Sequence, residues 1–217
     1  MTRLVVFDCD GTLIDSQAAI CETMEEAFAA AALPAPPRRA VRRMVGLSLP
    51  QALTRLAPAA SEAERARVLE AYKAGFFSRR SSGRLEEPLF DGLGDVLRRL
   101  HGDGWLLGVA TGKSDRGLLA CLDSHGIRDL FVTLQTADRH PSKPHPAMLE
   151  AALFEAGVTA QDAVMIGDTS FDVEMAQGAG APAIGVDWGY HDTGELLRAG
   201  ALGVARDAAE LESMIRD

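Results

Sequence analysis

The chain has 217 residues, 47% hydrophobic and 24% charged, the balance of a globular protein with a core; its length suits one large domain or one domain carrying an insert. No apolar run approaches the roughly 18 residues needed to span a bilayer, and Asp8 and Asp10 interrupt the stretch that an N-terminal export signal would need. The net charge of −9 argues against a general nucleic-acid binder, and Cys9, Cys21 and Cys121, at unrelated spacings, form neither a disulfide framework nor a zinc set, which fits a reducing cytoplasm.

Leu4-Val5-Val6-Phe7 is an apolar run ending in Asp8, the pattern of a buried strand with acids at its carboxyl end. Asp10-Gly11-Thr12 is turn chemistry. Residues 16–32 are rich in Ala and Glu, with Ile20, Met24, Ala27 and Phe28 on one helical side, and Pro34, Pro36 and Pro37 stop that helix. Two or three more helices are expected between Arg38 and Phe77, one of them opening at Ser61-Glu62-Ala63-Glu64, which has the capping-box spacing. Ser81-Ser82-Gly83 reads as a hinge.

After Pro88 the rhythm changes to alternating helices and strands. Helices are expected at 94–100, 116–125, 146–156 and 171–177, and strands at 105–110, 130–134, 163–166, 181–186 and 202–204. This alternation predicts a doubly wound, Rossmann-like parallel sheet covered on both faces, and the helix-only block after the first strand reads as an inserted domain. The core would comprise residues 1–15 and 85–217, and the all-helical insert residues 16–84. Residues 16–84 hold 11 basic and 6 acidic side chains, against 11 basic and 25 acidic in the rest. The insert thus has its own charge character, or simply a solvated helical surface.

Three expected strands end in polar residues: Asp8 with Asp10, Thr111, and Asp168 with Asp172. In open α/β sheets the ligand crevice lies outside the carboxyl ends of the strands, so these residues would share one site. Four carboxylates there would repel one another unless a cation neutralised them or one stayed protonated. Oxygen-only ligands suit Mg²⁺. Lys143, in Ser142-Lys143-Pro144-His145-Pro146, lies in a stiff loop that could present an ammonium to phosphate. Thr111-Gly112-Lys113 offers a hydroxyl and backbone N–H groups near a helix start, a further anion site. His145 is expected in a loop or capping role, and His101, His125, His140 and His191 on the surface. Trp105 and Trp188 read as packing.

Together these pieces resemble the haloacid dehalogenase superfamily of phosphotransferases, in its phosphoglycolate-phosphatase-like branch. The resemblance rests on Asp8-Cys9-Asp10-Gly11-Thr12, then Thr111-Gly112-Lys113, then Lys143-Pro144, then Gly167-Asp168-Thr169-Ser170-Phe171-Asp172, in that order over nearly the whole chain. It implies a helical cap at about 16–84 and covalent catalysis by Asp8, with Asp10 protonating the leaving oxygen and then activating water. It further implies that Asp8, the Asp10 carbonyl and Asp168 ligate Mg²⁺, that Asp172 holds a metal-bound water or orients Lys143, and that Thr111, Gly112 and Lys143 bind the phosphoryl oxygens. Arg42, Arg43 and Gly46 fall where the family's cap faces the active site, as candidates for holding the substrate.

The expected function is a Mg²⁺-dependent phosphatase acting on a small phosphorylated metabolite, with no nucleic-acid or membrane partner. The oligomeric state is open between monomer and homodimer. The rivals are a phosphomutase of the β-phosphoglucomutase type, an inorganic pyrophosphatase, and a non-catalytic binding protein on the same fold. The mutase is disfavoured because Gly46-Leu47-Ser48-Leu49-Pro50 lacks the Arg typical of that group's cap turn.

Overall fold

The computed structural model describes residues 3–217; Met1 and Thr2, which belong to the expected core segment, lie outside the described residues. Six strands form one parallel sheet: β1 (Leu4–Phe7), β2 (Leu106–Thr111), β3 (Phe131–Thr136), β4 (Ala163–Gly167), β5 (Ala183–Val186) and β6 (Val204–Ala205). Their spatial order is β3-β2-β1-β4-β5-β6, so the chain winds outward from β1 in both directions and the strand order reverses there. Val5 pairs with Leu107 on one side and Val164 on the other, which makes β1 the central, fully buried strand.

Alternation along β1 sends side chains to two cores. Val5 and Phe7 join the apolar cluster under α5 (Leu93–Gly102), α6 (Asp115–Ser124) and α10 (Ala208–Arg216). Leu4 and Val6 join the cluster under α7 (Ala147–Ala156), α8 (Ser170–Gly178) and α9 (Thr193–Ala199). The expected doubly wound architecture is therefore present, with helices on both faces.

Between β1 and α5 run α1 (Gln17–Ala30), α2 (Arg38–Arg42), α3 (Leu49–Leu56) and α4 (Glu62–Ser81). They enclose a third cluster of their own, with Ile20, Met24 and Phe28 of α1 packed against Leu53 of α3 and Val68 of α4. Ser61 and Glu64 form the expected reciprocal cap at the start of α4. α4 continues through Ser81, beyond the expected stop at Phe77, because nothing before Gly83, at φ +68°, breaks the backbone pattern. Of the segment Ser81-Ser82-Gly83, expected to be a hinge, Ser81 therefore belongs to α4 and Ser82 caps it. No helix among the described residues is long and apolar enough to cross a membrane.

Every strand after β1 differs from its expected bounds by one or two residues at one or both ends. β3 starts at Phe131 because Arg128–Leu130 close a 3₁₀ turn first. β6 is Val204–Ala205 rather than 202–204: Leu202 is largely exposed, and Gly185 pairs with Val204. Leu97, fully buried between α5 and the sheet, reports on the central core. Leu97→Ala is expected to cost about 2–5 kcal/mol in urea unfolding, because the rigid strands on one side cannot collapse into the void.

Candidate active site

The sheet's carboxyl edge gathers residues from four separate stretches of chain. After Phe7 the backbone turns sharply, and the amides of Thr12, Leu13 and Ile14 all reach back to the Cys9 carbonyl. This turn keeps Asp8 in line with β1, its amide still bonded to Ile166 of β4, and sends Asp10 toward the helical segment. Cys9 points the other way, into the α5/α6 core, as strand alternation requires.

Asp8, Asp168 and Asp172 come together so that one oxygen from each lies within 4.8 Å of the others, all three fully or almost fully buried. Lys143, fully buried, enters this cluster from its loop, with Nζ 2.9 Å from Asp8 Oδ1 and 2.6 Å from Asp172 Oδ1. Each carboxylate is otherwise tethered. Asp168 accepts from the Thr12 hydroxyl at 2.7 Å and the Tyr190 amide at 2.9 Å. Asp172 accepts from the Thr169 amide and hydroxyl, so it closes the capping box of α8 while it holds Lys143. Asp8 Oδ1 also accepts from the Cys9 amide at 2.6 Å, whereas Asp8 Oδ2 is buried without a hydrogen-bond partner.

Electrostatics follow from that crowding. Burial, reinforced by Asp172, pushes the Asp8 carboxyl up to about 7 despite the opposing pull of Lys143. Burial, then Asp172 and Asp8, hold Asp168 well above the usual carboxylate range. Burial alone would lower Lys143, but Asp172 and Asp8 outweigh it and raise its affinity for the proton.

The expected group of four carboxylates is three. Asp10 stands apart, hydrogen-bonded by the Ser16 hydroxyl and 2.9 Å from Lys113 Nζ. Lys113 in turn lies 2.9 Å from Glu87, and Arg80, near the end of α4, also pairs with Glu87 at 2.9 Å. Thr111, buried at the end of β2, accepts from the Lys113 amide. Gly112 meets the insert directly: a Cβ there would lie 2.5 Å from the Leu47 carbonyl oxygen, so only glycine permits that approach.

Asp8, Asp10, Thr111, Gly112 and Gly46 line one cavity of about 470 Å³ between the sheet edge and the helical segment. Arg42 and Arg43 do not line it. The Arg43 guanidinium is directed away, forked onto Glu195 of α9 at 2.8 and 3.1 Å. The cations that line the cavity are Lys73, Arg80, Lys113 and Arg116. Lys113 was visible within Thr111-Gly112-Lys113 only as backbone; its side chain bonds Asp10 and Glu87. Nothing in the sequence around Glu87 marks it, beyond its place just before Pro88.

His191 corrects the expectation of a surface histidine. It is 5% exposed, accepts from the Ser170 amide through Nδ1 and approaches the Arg43 carbonyl at 3.3 Å through Nε2. Its neighbour Tyr190 packs over Gly11 and reaches Ser16 at 3.3 Å. His125 and His140 also have partners, the Glu87 carbonyl and the Gln135 amide oxygen. His145 caps α7 locally through the Ala147 amide, and Trp188 packs near Phe90 while donating to the Thr12 carbonyl.

A doubly wound sheet with buried carboxylates and a lysine at its switch point defines an α/β enzyme whose chemistry centres on those acids. Residues 5–186 match the family model of the haloacid dehalogenase-like hydrolases. A probable phosphatase IndB of Dickeya dadantii is 35% identical over 92% of this chain and 87% of its own length. The phosphoglycolate phosphatase of Vibrio parahaemolyticus is 29% identical over 87% of this chain and 85% of its own length. A crystal structure described as a predicted phosphatase from Clostridium acetobutylicum superposes with a TM-score of 0.89 at 25% identity, covering 100% of this chain and 99% of that one. The chain belongs to the haloacid dehalogenase-like hydrolases and is a phosphatase of that family.

The crowding makes a stability prediction. In the metal-free fold Asp8 holds its proton up to about pH 7, against 3.8 for the free side chain. The folded chain therefore binds more protons than the unfolded chain between those values, and stability falls as pH rises through that window. Asp8→Asn keeps an acceptor at the Oδ1 position, facing Cys9 and Lys143, and puts a neutral amide where Oδ2 is unpartnered. In EDTA at about pH 7.5 the variant is expected to melt above the wild type, with the gap closing toward about pH 4. A variant that melts lower at pH 7.5, with an unchanged pH slope, would contradict the crowding.

Proposed function

We propose that this phosphatase is Mg²⁺-dependent and hydrolyses a small phosphorylated metabolite through an aspartyl-phosphate on Asp8. The observation that carries the reading is Asp8 itself: one oxygen is fixed by Lys143 and the Cys9 amide, the other is buried with no partner, and the residue lines the cavity. A carboxylate so held is oriented for attack and cannot turn away.

The donor set fits a hard divalent cation. The three carboxylates outnumber their single lysine, all offer oxygen, and Asp8 Oδ2 lacks any other partner. Asp8 and Asp168 would hold Mg²⁺, with the Asp10 carbonyl as a further ligand. Asp172 is already neutralised by the Lys143 ammonium at 2.6 Å, whereas Asp168 accepts only from neutral donors, which favours a role for Asp172 in orienting Lys143 over direct ligation. Bound there, the ion would neutralise charge on the phosphoryl group and allow Asp8 to remain ionised.

The remaining roles fall to the chain's own groups. Lys143 offers an ammonium beside the nucleophile, and the Thr111 hydroxyl and the Gly112 backbone face the same cavity, so these three bind the phosphoryl oxygens. Asp10 is held by Ser16 and Lys113, away from the carboxylate cluster, as suits the acid that protonates the leaving oxygen and then takes a proton from water. Residues 16–84 act as a cap that closes over the core of 1–15 and 85–217 and excludes bulk water. The relatives named phosphoglycolate phosphatase and phosphatase support a phosphomonoester substrate.

EDTA is expected to abolish hydrolysis of p-nitrophenyl phosphate and Mg²⁺ to restore it, with Ca²⁺ inhibiting because its looser shell misplaces the attacking carboxylate. Asp8→Asn, folded by circular dichroism, should lower kcat by more than about a thousandfold. Full activity in EDTA, or in the variant, would overturn the reading.

A further inference from the structure

One wall of the cavity is apolar and aromatic. Met24 of α1, Leu56 of α3, and Leu69, Tyr72 and Phe76 of α4 line it. Tyr72 and Phe76, one helical turn apart, stack with their ring centroids 4.9 Å from each other and present one continuous aromatic surface. Phe76 borders the surroundings of Asp10, the acid assigned to the leaving oxygen: Lys113 Nζ lies 6.0 Å from the Phe76 ring centroid and 2.9 Å from Asp10.

The least exposed cations lining the cavity are already paired with carboxylates. Lys113 lies 2.9 Å from both Asp10 and Glu87, and Arg80 is paired with the same Glu87. Lys143 is bound between Asp8 and Asp172. Lys73 and its partner Glu70 are both largely exposed at the rim, and Arg116 lies 4.1 Å over the ring of Phe77, itself 53% exposed. Among the described residues lining the cavity, no cation on the inner wall is left for a second anionic group. A carboxylate placed against Tyr72 and Phe76 would find at most the neutral Tyr72 hydroxyl, and, in Lys113 with Nζ 6.0 Å over the Phe76 ring, an ammonium already shared by Asp10 and Glu87, whereas an apolar body there would remove its own surface and that of the wall from water.

Resting on the phosphatase reading above, we infer that the substrate is a phosphate monoester whose alcohol carries an apolar, ring-sized body, and that Met24, Leu69, Tyr72 and Phe76 select it. A cavity of about 470 Å³ has room for such a body beside the phosphoryl group, far more than a two-carbon acid would fill. The relatives named phosphoglycolate phosphatase share the sheet-edge chemistry with this chain; the leaving-group wall is where its specificity departs from a small carboxylated alcohol.

The test compares kcat/KM of the full-length enzyme with Mg²⁺ for 2-phenylethyl phosphate and 2-phosphoglycolate. Both release a primary alkoxide, so the ratio reports the wall rather than intrinsic reactivity. The expected ratio is at least about tenfold in favour of 2-phenylethyl phosphate. Phe76→Ala should reduce it several-fold, and Leu69→Lys should shift it toward 2-phosphoglycolate. A wild-type ratio at or below one, or a ratio unmoved by both folded variants, overturns the inference. Should either variant fail to fold, the wild-type ratio still decides. Turnover of p-nitrophenyl phosphate with 2-phosphoglycolate preferred removes this inference alone; no turnover of any of the three esters removes the phosphatase reading, and this inference with it.

Discussion

Three carboxylates and one ammonium buried at the carboxyl edge of a parallel sheet set the terms for the rest of the molecule. Asp8 follows the central strand, Asp168 follows its neighbour, and Asp172 opens the helix after that. Taking such charges out of water is costly unless each finds a partner. Thr12, Thr169, Lys143 and the amides of Cys9, Thr169 and Tyr190 supply those partners, and only Asp8 Oδ2 is left without one. The surrounding loops are shaped by this demand: the Thr12 turn, the Lys143 loop and the Tyr190 segment each deliver a donor to a carboxylate. The excess of negative charge is what a bound divalent cation would balance.

A second network ties the helical segment to the sheet edge. Glu87, 7% exposed at its side chain, collects Arg80 from the end of α4 and Lys113 from the end of β2, and Lys113 passes on to Asp10. On the other side His191 and Glu195 hold Arg43 by its carbonyl and its guanidinium. These two clamps join Arg80 and Arg43 of the helical segment to the core. Arg38 with Glu25 and Arg79 with Glu22 and Glu26 form further ion pairs within the helical segment itself. Beyond these charged groups the helical segment's side of the cavity is largely apolar, with Met24, Leu56, Leu69 and Phe76.

The sheet and its edge were legible because their signals are local. Short apolar runs ending in polar residues, and the helix–strand rhythm, indicate element types and put Asp8, Thr111 and Asp168 at strand ends. Lys143 and Asp172 followed from short motifs with a definite order in the chain. Side-chain pairings across the fold carry no such signal. Asp10 was grouped with the other acids because proximity in sequence suggested proximity in space, yet Ser16 and Lys113 draw it aside. His191 looked unpartnered because both its partners are backbone groups, at Ser170 and Arg43, invisible in a list of side chains. Arg42 and Arg43 were singled out by position next to Gly46, but the helix turns Arg43 onto Glu195, 152 residues away. Element ends shifted by a few residues where a 3₁₀ turn at Arg128–Leu130 or the break at Gly83 intervened.

The central claim is that the buried acids need one divalent cation for balance. Calorimetric titration of the metal-free protein with Mg²⁺, paired with thermal melts across the same concentrations, tests it directly. The account predicts one ion per chain and a melting temperature that climbs with Mg²⁺ by mass action, both lost in Asp168→Ala. Absence of binding heat together with a melting temperature indifferent to Mg²⁺, or undiminished binding by Asp168→Ala, would contradict it.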